Sequence, residues 1–142
     1  MYKTIEFTDK SFRRLASNKL LPDKKQTGII YINSEVTPEI FINYFLAEST
    51  DPSPSSLQKL QVIKKLRNLG WSVSKIKHLT RTQRLCRRFL TLHEISHLNH
   101  RDNEIYYSTS PEEKIEIETR ACIEALKQLQ HEENIKKNHG HY

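Results

Sequence analysis

His93, Glu94 and His97 form the pattern His-Glu-x-x-His, and these residue types at this spacing suit one chemistry. On an α-helix, residues four apart stand one above the other, so both imidazoles reach the same metal ion. Glu94 lies about 100° round the helix from His93, near enough to hold a water against that ion without ligating it. A carboxylate so placed takes a proton from water that zinc has acidified, which supplies a nucleophile at neutral pH. The pattern points to metal-assisted hydrolysis.

A shuffled chain of this composition would contain the pattern about 3% of the time, so its surroundings have to carry weight. Leu85, Phe89, Leu92 and Ser96 recur at helical spacing around it, and neither Gly nor Pro interrupts Trp71 to Ser110. The motif is therefore expected on an amphipathic helix with one buried face. His100 extends the pattern, but on a continuous helix it projects roughly a turn beyond the metal and is expected as a supporting or surface residue. Cys86 also lies more than a turn from the His pair. Cys86 and Cys122 are the only cysteines and read as reduced thiols within helices.

A catalytic zinc takes three protein ligands and keeps one position open. Ser110-Pro111-Glu112-Glu113 is a helix start, with Ser110 as cap, Pro111 first and Glu113 at the capping-box position. The helix is expected to run to about Gln130, with Ile115, Cys122, Ala125, Leu126 and Leu129 as its apolar stripe. Glu118 falls about 60° from Ile115, inside that stripe, whereas Glu113, Glu116 and Glu124 fall outside it. A carboxylate facing the core needs a partner, either a metal ion or an Arg or Lys.

Arg87-Arg88-Phe89-Leu90-Thr91-Leu92-His93-Glu94-Ile95-Ser96-His97-Leu98 resembles the motif helix of the ImmA/IrrE group of zinc peptidases, and Glu116 to Leu126 resembles that group's Glu-x-x-Ala helix. The likeness covers roughly residues 84–129. Ser96 stands where the group usually has Gly, Cys122 where it commonly has Asn, and Glu124 where it has Phe. The resemblance implies zinc as cofactor, His93, His97 and Glu118 as ligands, and Glu94 as general base. It implies peptide-bond hydrolysis in a regulatory protein such as a transcriptional repressor, in a group common on mobile elements. His93 to Asn103 also looks like compact peptidases with a further His downstream, but Asn103 occupies that place. Tyr106, Tyr107, His78 and His100 are the candidates for stabilising an oxyanion.

The elements that would position these residues read as follows. Thr8 or Asp9 caps an expected first helix, with Phe12, Leu15 and Leu20 towards the core, ending near Leu21-Pro22. Gln26 to Asn33 is β-branched and aromatic and reads as a strand, paired with Tyr2 to Phe7 or with a segment after His100. In zinc peptidases a sheet edge beside the metal commonly holds the substrate extended by strand addition, and a purely structural strand is the alternative. Thr37-Pro38 starts a helix whose apolar face is Ile40, Phe41, Tyr44, Phe45 and Leu46. Ser49 to Ser56 is a linker by composition. Two helices joined at Gly70 follow: Leu60, Ile63, Leu66 and Leu69 face inward in the first, Val73, Ile76 and Leu79 in the second. The expected fold is α+β: a helix-rich single domain over residues 1–142, zincin-like, with a small β-sheet, a basic helical hairpin insertion at about 57–80 and a disordered tail at about 134–142.

Charge offers a rival reading. The net value is +6, but Leu57 to Arg101 holds eleven Lys or Arg against one Glu, and Asp102 to Glu133 holds three basic against nine acidic residues. Leu60 to Leu79 resembles the helical pair that follows the wing in MerR-type regulators. In a DNA-binding regulator using the basic region 57–88, Lys64, Lys65, Arg67, Lys75 and Lys77 would contact phosphates, with any zinc structural. The alternative for the same residues is a solvated basic helical hairpin. A third reading has the hairpin dock a DNA-bound repressor that the metal site cuts, and a fourth is an inactive partner-binding form. No apolar run approaches membrane-spanning length and the first residues hold no signal core, so a cytoplasmic protein is expected.

Overall fold

The computed structural model describes residues 2–12, 14–21, 27–45 and 54–139. Its fold is α+β, a three-stranded sheet packed with helices. Strand β3 (Gly28–Asn33) lies in the centre, parallel to β1 (Tyr2–Phe7) and antiparallel to β2 (Ala16–Leu20). Tyr2 aligns with Gly28 on one side, and Ala16 aligns with Ile32 on the other. β3 buries Ile30 and Ile32, as its β-branched composition requires of a central strand. The partner left open between Tyr2–Phe7 and a later segment is thus Tyr2–Phe7.

The helix expected from Thr8 does not form; the chain makes a turn and then β2. Asp9 does not cap a helix. Its carboxylate accepts from the backbone N–H (2.9 Å) and hydroxyl (2.6 Å) of Ser11, an Asx turn. Phe12 then takes a left-handed backbone, φ 53°. The fully buried amide of Asn33 donates to the carbonyls of Asp9 (2.8 Å) and Arg14 (3.0 Å), which fixes this loop against β3. Leu15 is buried and Leu20 half-buried, so their apolar character was read correctly but their backbone was not.

Helix α1 (Pro38–Phe45) starts at Pro38 behind Thr37, whose hydroxyl accepts from Ile40 N–H (3.3 Å). Phe41 is its buried anchor, and Tyr44 stays 37% exposed rather than facing the core. Leu46 and the expected linker up to residue 53 lie outside the described residues, as do Gln26, Pro22 and the chain end from residue 140. Helix α2 (Pro54–Asn68) begins inside the expected linker, because Pro54 suits a first helical position. It ends in a Schellman turn: Trp71 N–H reaches Leu66 C=O (2.9 Å), Gly70 N–H reaches Arg67 C=O (3.0 Å), and Gly70 has φ 95°. Leu69, at the end of this helix, is 61% exposed and not part of the inward face.

Ser72 caps α3 (Val73–Leu79) and Thr82 caps α4 (Gln83–Asn99), the motif helix. α4 packs against β2 and β3 and against α5 (Pro111–His139). Phe89 of α4 meets Phe41 edge-on, with ring centroids 5.3 Å apart. Gly28 lets β3 approach α4: a Cβ there would stand 2.9 Å from the Leu98 side chain and 3.1 Å from Lys19 C=O. α5 continues past Gln130 to His139, so residues 134–139 of the expected disordered tail are helical. Arg88 forks onto Glu132 (3.1 and 2.8 Å) and Arg81 reaches Glu133 (3.2 Å), which ties that extension to its neighbours. Among the described residues, no helix is long and apolar enough to cross a membrane.

Candidate metal centre

Helical spacing puts His93 and His97 on one side of α4, and the apolar stripe of α5 carries Glu118 towards them. His93 Nε2 stands 3.3 Å from Glu118 Oε2, and His97 Nε2 stands 3.4 Å from Glu118 Oε1. One ligand atom from each of the three residues falls within a 4.8 Å set, a grouping able to hold a metal ion. Atoms bound at 2.0–2.1 Å to one tetrahedral ion lie about 3.3–3.4 Å apart, so the spacing fits. Among the described residues His93 Nε2 is buried without a well-aligned hydrogen bond, although Glu118 Oε2 stands 3.3 Å away. A buried polar nitrogen left in this way needs a ligand to satisfy it.

The charges of the site favour a cation. Burial opposes charge on His93, but Cys122, Glu118 and Glu94 oppose burial and hold its pKa well above the ordinary histidine value. Burial pushes the Cys122 thiol itself up, against the pull of His93. His97 is also raised: burial lowers it, and Glu118 and Asp102 outweigh that. Burial raises Glu118, yet the two imidazoles bring it well below the usual carboxylate range. Positive charge between these groups is stabilised, whether protons or a metal supply it.

Glu94 sits beside this cluster without joining it. Its carboxylate is 6% exposed and accepts a short hydrogen bond from Asn18 Nδ2 of β2. Asn103 Nδ2 in turn donates to Asn18 Oδ1 (2.7 Å). Burial raises the Glu94 pKa, but His93 and Asn18 more than compensate, so Glu94 is ionised and able to accept a proton.

Asp102 is the supporting residue that the sequence did not reveal. The chain leaves α4 at His100, and Arg101 adopts a left-handed backbone, φ 54°. That turn, made without Gly, brings the short 3₁₀ segment Asp102–Glu104 back under the helix. Asp102, 2% exposed, meets His97 Nδ1 at 2.9 Å, which leaves Nε2 to face Glu118. Arg120, two residues beyond Glu118 on α5, also pairs with Asp102. One carboxylate therefore links the loop after α4 to the helix that carries the third candidate ligand.

The remaining candidates separate cleanly. Tyr106 lies in a second 3₁₀ segment (Tyr106–Ser108), and its hydroxyl oxygen accepts from Gln58 Nε2 of α2 (3.0 Å). Burial, opposed by the Gln58 hydrogen bond and joined by the nearby Glu118, raises its pKa. Tyr107 is 90% exposed. His78 lies against Arg81 on the surface, and His100 meets Glu124 (2.8 Å), so neither lines the cleft over the cluster. Cys86 is buried and donates to Thr80 C=O, away from the cluster. Ser96 and Glu124, two departures from the resembled pattern, satisfy each other through a 2.6 Å hydrogen bond. Of the basic candidates, Lys65 pairs with Glu116 and Lys75 lies over the Trp71 ring, while Lys64, Arg67 and Lys77 are exposed.

The chain matches no family model, no curated protein and no solved structure. The functional reading therefore stands on the geometry of this chain. Above the cluster opens a cleft of about 680 Å³, floored by His93, Glu94, His97 and Glu118 and bordered by Ala16, Ser17 and Asn18 of β2. In the sheet order β2 pairs with β3 alone, so its other edge is free of a strand partner among the described residues.

Proposed function

We infer that this chain is a zinc-dependent metallopeptidase. The observation that carries the reading is the convergence of His93, His97 and Glu118 beside an ionised Glu94, at the floor of an open cleft. The three convergent residues would hold the metal through two imidazole nitrogens and a carboxylate, a donor set that suits zinc. Bound zinc would acidify water and polarise a peptide carbonyl. Glu94 takes the proton of the attacking water on its carboxylate and delivers it to the departing amine as the C–N bond breaks. Asn18 holds that carboxylate in place, and Asp102 fixes the His97 ring. The Tyr106 hydroxyl, which lines the cleft, is the candidate donor to negative charge developing on the carbonyl oxygen.

Two imidazoles and a carboxylate also serve iron oxygenases. Glu94, adjacent to the donor set and ionised, favours hydrolysis instead. A DNA-binding reading draws on the exposed Lys64, Arg67 and Lys77, but it gives the buried cluster no role. The resemblance noted above makes a regulatory protein such as a repressor the substrate class. Zinc-loaded wild type and Glu94→Gln should be incubated with a proteome-derived peptide library and the products read by mass spectrometry. Cleavage by the wild type, lowered at least about 10³-fold in Glu94→Gln, is expected. Equal cleavage by both proteins contradicts the reading, as does none by the wild type.

A further inference from the structure

The walls of the cleft carry cations that the site below does not use. On one wall Lys59 of α2 places its ammonium 3.6 Å from the centre of the Tyr44 ring of α1. Lys114 of α5 places its own 5.3 Å from the centre of the Tyr106 ring, which also lines the cleft. Arg14, exposed just before β2, adds a third positive charge, and its field reaches the Tyr44 hydroxyl. The three acidic groups of the lining are already engaged: Glu94 with Asn18, Glu118 with the two imidazoles, and Asp102 with His97 and Arg120. Among the described residues, no carboxylate stands within ion-pair distance of Arg14, Lys59 or Lys114.

We propose that the cleft receives an acidic polypeptide segment, whose carboxylates are met by Lys59 and Lys114. The inference rests on the peptidase reading for the fate of that segment and on the cleft alone for its binding. Each lysine is held over a tyrosine ring, a contact that directs the ammonium while leaving it able to take an anion. Burial against that wall lowers the Lys59 pKa, the mark of a cation whose hydration is incomplete. A substrate carboxylate would supply what the water does not. A polypeptide fits better than a nucleic acid because β2 offers the free main-chain edge that an extended peptide pairs with.

The test is binding, read by fluorescence anisotropy on Glu94→Gln protein in 0.15 M salt, so that it requires no turnover. The probes are a twelve-residue peptide with Glu flanking its centre, the same peptide with Gln, and a single-stranded DNA twelve-mer. The acidic peptide is expected to bind about tenfold more tightly than the Gln peptide. Adding Lys59→Glu and Lys114→Glu should erase the preference, and Lys59→Met with Lys114→Met, which keeps the stems over the rings, should reduce it to about twofold or less. Lys3→Glu with Lys127→Glu makes the same change in net charge on exposed residues outside the cleft and should leave it intact. Equal affinities for the two peptides, no binding of either, an equal loss in the Lys3/Lys127 variant, or tighter binding of the DNA each overturns the proposal. An acidic preference in a protein that cleaves nothing would instead reject the peptidase reading and leave this one standing.

Discussion

Two helical pairs, α2 with α3 and α4 with α5, use their polar residues in opposite ways. α4 and α5, with the 3₁₀ segment between them, turn theirs inward: His93, Glu94, His97, Glu118 and Asp102 are held by one another and by Asn18 and Arg120. α2 and α3 turn theirs outward, with Lys64, Arg67 and Lys77 exposed and Lys65 and Lys75 occupied by Glu116 and Trp71. The sequence marks both pairs as unusual, one by motif and the other by charge. Burial separates them. A buried polar cluster must be satisfied or it costs stability, whereas a solvated lysine costs nothing and implies little. A buried nitrogen without a well-aligned hydrogen bond, His93 Nε2, therefore weighs more than five basic side chains.

The contrast can be broken from either side. Asp102→Asn keeps the volume but removes the charge that orients His97 and pairs with Arg120. Zinc affinity, measured by competition with a chelator, should fall about 10–100-fold, while the equivalent change in the other pair, Lys65→Gln, should leave it unchanged. An unaltered affinity in Asp102→Asn would make the His97 contact incidental. In the outward pair the sensitive position is backbone. Gly70→Ala forces a side chain into φ 95° and should cost about 1 kcal/mol in denaturant unfolding, with no effect on zinc affinity. A loss of zinc binding there would couple the two pairs more tightly than their contacts indicate.

The smallest effect is expected at the far end of the inward pair. The Arg88 fork lowers the Glu132 pKa against burial, from an ordinary 4.5. A carboxylate lowered on folding stabilises above its unfolded pKa and stops doing so as pH falls through the folded one. Wild type should therefore lose up to about 1 kcal/mol, relative to Glu132→Gln, as pH drops below about 4.5. Parallel unfolding curves for the two proteins over that range would show the surface fork to be neutral.

How much of this was legible in the sequence follows from how local each signal is. His93 and His97 needed only the helical repeat, and Glu118 only its place within the α5 stripe. The pairing of Ser96 with Glu124 was not visible, since each reads as an isolated departure until the two helices are packed. Asp102 was hidden because its return to His97 depends on Arg101 adopting a left-handed turn that non-glycine residues seldom take. Asn18 was hidden for a different reason. Ala16-Ser17-Asn18-Lys19-Leu20 has little intrinsic strand preference, and Asp9 resembles a helix cap; only pairing with β3 makes the segment extended. Local chemistry thus pointed to the candidate ligands, and long-range pairing supplies the groups packed against them.

The most direct test is metal content by elemental analysis of tag-free wild type, His93→Ala and Glu118→Ala. The expected result is about one zinc per chain in the wild type and loss of it in both variants. Zinc retained in Glu118→Ala would contradict the third ligand, and a wild type that holds no metal even after zinc is added back would contradict the site itself.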